Sequence, residues 1–147
     1  MIYIQFIYVH TKTWKGVKTV KIENIAVFAL GNIGYGFLEL LWRGRTHWTM
    51  MITGGICLLT LYRMEQHWKQ EMLVFRCIKG AVLITCIEFL IGILVNRIMK
   101  WNVWDYSRAP GNLLGQICPL YFLFWYFLCY PVFGLTGLLQ KAWHRTH

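Results

Sequence analysis

The chain has 147 residues, of which 57% are hydrophobic and only 14% charged, with a mean hydropathy of +0.45 and a formal charge of +9. A soluble domain carries about 45–50% apolar and about 25% charged residues, and one of this length cannot bury several helices that are apolar all round. The composition therefore predicts an integral membrane protein and excludes a nucleic-acid role, because no basic soluble domain exists to carry one.

Met1–Val9 is apolar but too short to span, and it lacks the basic start and small-residue cleavage site of a signal peptide. With Lys12, Lys15, Lys18 and Lys21 it is read as a basic, interfacial extension over residues 1–23. Residues 24–147 are read as an all-α polytopic domain of four transmembrane helices, arranged as two tandem helical hairpins. The expected spans are Asn24–Trp42, Trp48–Met64, Cys77–Met99 and Leu113–Gly134, each near the roughly 20 residues that a bilayer core requires.

The first span carries Asn32, Tyr35, Gly36, Glu39 and Arg43 on one helical stripe. Glu39 has Arg43 one turn on, so a fixed, paired charge is expected. The short connection that follows holds Arg43, Arg45, His47 and Trp48. The second span offers Thr49, Thr53, Cys57 and Thr60. On the third, Ala81, Thr85, Glu88, Gly92 and Asn96 share a face. Glu88 has no basic residue one turn away, and a carboxylate at membrane depth costs several kcal/mol unless it is paired, protonated or in a wet cavity. It is predicted to point into the bundle, and either to be neutral much of the time or to pair with a group on another helix. The second outer connection contains Trp104, Asp105 and Tyr106, and Asp105 is expected to contact Arg43, Arg45, Arg97 or Arg108. The fourth span is expected to present Asn112, Gly115, Gln116 and Pro119. Gly54-Gly55-Ile56-Cys57 and Gly115-Gln116-Ile117-Cys118 suggest an internal repeat of two spans.

Lysine and arginine set the orientation. Ten lie in the N-terminal segment, the middle connection and the C-terminus, against five in the other two connections, so both termini are predicted to be cytoplasmic. Trp42, Trp48, Trp101 and Trp104 mark one membrane edge, Trp14, Trp68 and Trp143 the other, and Trp125 falls mid-span. The five cysteines form no C-x-x-C and have no ligand spacing with histidine; they read as packing residues, with no metal or cofactor site.

Glu39-Leu40-Leu41-Trp42-Arg43-Gly44-Arg45-Thr46-His47-Trp48, then Glu88-Phe89, then Trp104-Asp105-Tyr106-Ser107 with Asn112 and Gly115-Gln116-Ile117-Cys118, resemble the bacterial ABC-transporter type IV permease family. The resemblance covers roughly Ile25–Phe133 and implies a multi-pass protein of the bacterial cytoplasmic membrane with a permease-like role. No G-x-x-x-x-G-K-S/T loop occurs, so any ATPase would be a separate chain. A homo-oligomer or another membrane subunit is expected, since four spans are few for a path. The solute path expected from the stripes comprises Glu39, Glu88, Asn32, Tyr35, Thr85, Asn96 and Gln116. The competing readings are a membrane-embedded scaffold or regulator and an envelope-modifying enzyme using His47, Asp105, Tyr106 and Arg45. No catalytic constellation can be assembled from spacing.

Overall fold

A computed structural model describes the backbone of residues 2–145 and the side chains of residues 22–145. The expectations for Met1–Val9, Trp14, Lys12, Lys15, Lys18 and Lys21 lie outside the described side chains. The regular elements of the described chain are all helices: α1 (Ile2–Arg43), α2 (Trp48–Trp68), α3 (Leu73–Gly92, continued by a π-helical segment Ile93–Ile98) and α4 (Pro119–Arg145). Among the described residues three helices, not the expected four, are long and apolar enough to cross a membrane: Ile22–Arg43, Leu73–Ile98 and Pro119–Arg145.

Three helix boundaries have a local cause. Gly44 takes φ +66 after Arg43 and returns its N–H to Leu40 O at 3.0 Å, a left-handed stop that glycine enters without a Cβ penalty. His47 caps α2, with Nδ1 accepting from Thr49 N at 3.4 Å. Pro119 opens α4, where its missing N–H is no loss.

α1 packs along α2, and α3 along α4; α2 also touches α3 and α4. The α1–α2 contact is backbone-close. A Cβ on Gly31 would lie 2.6 Å from Gly54 O and 2.9 Å from Gly55 Cα, so neither helix could approach as it does with a larger residue there. The core between α2, α3 and α4 is made of Leu61, Cys77, Ala81, Ile84, Cys129 and Phe133. The buried cysteines Cys57, Cys77, Cys118 and Cys129 are free thiols, and among the described residues no cluster could hold a metal.

The fourth span differs from expectation. Leu113–Cys118 lies in the connection, where Leu113 bridges Ile117, and the helix starts at Pro119 and runs well past Gly134. Left-handed Leu114 and Gly115 prevent a helix there. The two suggested repeat motifs are therefore not structurally equivalent: Gly54–Cys57 is helical, and Gly115–Cys118 is loop.

Candidate functional site

Polar side chains gather at three depths. The middle layer is built around Glu88, which is 3% exposed on α3. Tyr35 Oη of α1 donates to Glu88 Oε1 at 2.8 Å. Trp125 Nε1 of α4 donates to Glu88 Oε2 at 2.7 Å. The two rings stack, with centroids 5.7 Å apart. Both donors are neutral, and no cation pairs with this carboxylate among the described residues.

The chemistry of the two donors differs. An indole N–H only donates, whereas a phenol both donates and accepts. A proton on Glu88 Oε1 would reverse the Tyr35 bond without breaking it, while Oε2 keeps accepting from Trp125. The cradle thus accommodates both protonation states with its geometry intact.

The layer at the end carrying the 44–47 and 99–118 connections is centred on Glu39. Arg43 Nη1 donates to Glu39 Oε1 at 2.9 Å, and Thr46 Oγ1 to Glu39 Oε2 at 2.9 Å. Arg43 Nη2 reaches Val103 O at 3.1 Å and joins the two connections. His47, Trp48 and Trp101 form a ring cluster with centroids 5.6–5.9 Å apart. Arg45 lines a cavity of about 150 Å³ with Glu39, Arg43 and His47.

Asp105 does not contact an arginine. Its Oδ1 accepts from Ser107 N at 2.8 Å and its Oδ2 from Ser107 Oγ at 2.9 Å. The carboxylate closes its own turn, and Arg43, one of the expected partners, is already held by Glu39 and Val103. Ser107's backbone N–H and then its hydroxyl hold the Asp105 carboxyl below its ordinary value; desolvation opposes them, and the charge of Arg108 adds a smaller lowering effect. Burial pushes the neighbouring Tyr106 phenol up. Tyr106 stacks on Tyr121 at 4.3 Å.

Gln116 is not on a helical path face. It sits in the loop, where its Oε1 accepts from Asn96 Nδ2 at 2.8 Å and its carbonyl from Trp104 Nε1 at 3.0 Å. Asn96 Oδ1 accepts from Val103 N at 2.7 Å. The π-helical turn, with Met99 N bonded to Leu94 O at 2.9 Å, carries Asn96 into this network. Asn32 bonds back to Phe28 O at 2.9 Å and faces Gly55 of α2. Thr85 lies a turn before Glu88, its hydroxyl without a hydrogen-bond partner among the described residues.

The third layer, at the opposite end, has no counterpart in the sequence expectations. Glu65 on α2 is 3% exposed. Arg76 Nη2 of α3 donates to Glu65 Oε1 at 2.9 Å. Thr136 Oγ1 of α4 donates to Glu65 Oε2. Gln140 Nε2 reaches Tyr62 O at 3.0 Å. Twelve residues separate Arg76 from Glu88, about 18 Å of helix rise, and Leu61, Ala81, Ile84 and Cys129 fill the interval.

Apolar spanning helices around a cation-free carboxylate, with charged layers at either end, define a polytopic membrane protein with an ionisable core. The chain matches the family described as Putative ABC-transporter type IV over residues 6–145, and it belongs to that family. No curated protein and no solved structure matches it.

Proposed function

We propose that the protein is a small permease subunit of the bacterial cytoplasmic membrane, moving an unidentified solute with Glu88 as the coupling group. The observation that carries this reading is the Glu88 cradle. One carboxylate on α3 ties α1 to α4, its donors are neutral, and a proton can be exchanged without dismantling it. An ion held only for strength would be paired with a cation, as Glu39 and Glu65 are.

α2 serves as the fourth span in this reading. Its 21 residues reach about 30 Å. Its polar residues Thr49, Thr53 and Glu65 face inward, which lowers its hydropathy without exposing them to lipid. The α1–α2 and α3–α4 hairpins are then the bodies that shift against each other about Glu88. Residues 1–23 serve as a basic interfacial extension, and both termini face the cytoplasm by the lysine and arginine asymmetry.

The apolar layer between Glu88 and Glu65 interrupts any polar route within one chain. A second copy, another membrane subunit or a separate ATPase completes the path. The same layer favours a second reading, a scaffold that binds a partner helix.

The test is reconstitution into proteoliposomes with an encapsulated pH dye. A panel of inorganic cations and amino acids is added outside. A solute-dependent dye response in the wild type that vanishes in Glu88→Gln, at equal thermal stability, supports the permease. Equal responses in both proteins shift the assignment to the scaffold.

A further inference from the structure

The 99–118 connection lines a second, open cavity of about 400 Å³. Arg97 and Asp105 both line it. They carry opposite charges, and neither belongs to an ion pair among the described residues. Asp105 uses one lone pair of each oxygen on Ser107, which leaves the others available. Asn102 lines the same space, exposed and at φ +50.

The wall is pre-formed. Asn112 Nδ2 donates to Ser107 O at 3.0 Å and Ala109 O at 2.8 Å, and its Oδ1 accepts from Gly115 N at 3.0 Å. Tyr106 N meets Gly115 O at 2.8 Å. Leu114 is held at φ +53, a conformation a leucine rarely adopts, and it forms part of the lining. Gly115 lies under the carboxylate, where an added Cβ would be 2.9 Å from Asp105 Oδ1. The amides thus build the frame, and the two charges remain for a ligand.

We propose that this cavity binds a small zwitterion, an ammonium at Asp105 and a phosphate or carboxylate at Arg97. A ligand of both signs neutralises both unpaired groups at once, whereas a simple anion or cation leaves one facing its own charge unanswered. Arg97 sits at the end of the span Leu73–Ile98, and Trp101, four residues on, is exposed, which puts the cavity at headgroup level in this reading. A phosphoethanolamine lipid headgroup and a free amino acid are the two sources of this chemistry. The inference is independent of Glu88, so its failure leaves the flux test untouched.

The experiment uses the full chain in nanodiscs and follows tryptophan fluorescence with glycerophosphoethanolamine, L-alanine and glycerophosphoglycerol. At least one of the two zwitterions should bind about ten-fold or more tighter than glycerophosphoglycerol, and Arg97→Gln and Asp105→Asn should each weaken it about ten-fold. Native mass spectrometry of protein from equimolar phosphatidylethanolamine and phosphatidylglycerol discs separates the sources. Selective retention of phosphatidylethanolamine assigns the lipid headgroup, and alanine binding without that retention assigns the free amino acid. Equal binding of all three probes, binding of none, or unchanged binding in Arg97→Gln overturns the proposal. Arg97 makes no hydrogen bond that the loop depends on, so this variant carries the test even if Asp105→Asn disturbs the turn.

Discussion

Trp125 donates its indole N–H to Glu88 Oε2 at 2.7 Å, from α4 to α3, in the middle of the membrane-spanning bundle. Because an indole can only donate, this bond requires an acceptor at that oxygen position in every state of the site. Glu88→Gln satisfies the requirement by turning its carbonyl oxygen to Trp125 and its amide N–H₂ to Tyr35 Oη. The variant should therefore unfold at nearly the wild-type temperature in detergent. Trp125→Phe leaves Oε2 buried without its donor and should lose about 1–3 kcal/mol. A Glu88→Gln protein less stable than Trp125→Phe would show that the charge, not the bond to the indole, holds the layer.

The Glu65–Arg76 pair should be the most sensitive polar contact. Both side chains are largely buried, and removing one leaves the other charged in an apolar surround. Arg76→Met is expected to cost about 3–5 kcal/mol. Glu65→Met with Arg76→Met should recover much of that loss, because neither charge is then stranded. Thermal unfolding of the two singles and the double closes the cycle. An additive double would mean that the pair does not act as a unit.

Gly31 and Gly34 share α1 but meet different surroundings. A Cβ on Gly31 runs into the backbone of α2 at 2.6 Å, which cannot step aside, whereas one on Gly34 meets nothing within 4 Å. Gly31→Ala should destabilise by about 1–3 kcal/mol. Gly34→Ala should be neutral or gain up to about 1 kcal/mol from helix propensity. Equal effects at both positions would contradict the close α1–α2 packing.

The sequence made the helices legible because their apolar runs are long and separated by polar connections. Glu39 with Arg43 was readable from one-turn spacing, and the isolation of Glu88 from any cation in sequence pointed either to a neutral carboxyl or to a partner on another helix. That partner left a signal that went unused: Trp125 is the one mid-span tryptophan, and its N–H needs an acceptor at that depth. Glu65 was hidden by a boundary. Ending the second span at Met64 put it in a cytoplasmic connection, whereas α2 continues to Trp68 and turns it inward. Gln116 and Asp105 failed for a different reason. Apolar Leu113 and Leu114 read as the start of a helix, but left-handed backbone at Leu114 and Gly115, held by side-chain bonds from Asn112 and Gln116, makes a loop that residue spacing does not encode.

The 99–118 loop should loosen in acid with a defined sign. Asp105 is held below its ordinary value of 3.8 by the Ser107 backbone N–H first and the Ser107 hydroxyl next. A carboxyl depressed in the folded state contributes stability that is complete above the unfolded value and is lost as pH falls through the folded one. The transition therefore lies below pH 3.8. Above it the turn over Gly115 stays closed, and Trp104, bonded to Gln116 O, stays buried. Tyr106 adds nothing on this side, since burial raises its phenol above the ordinary 10.0. Tryptophan emission should shift red below pH 3.8 in the wild type, and Asp105→Asn, which carries no charge at any pH, should show the red-shifted emission already at neutral pH and no further acid step. An identical acid step in Asp105→Asn would assign the transition to a group other than Asp105.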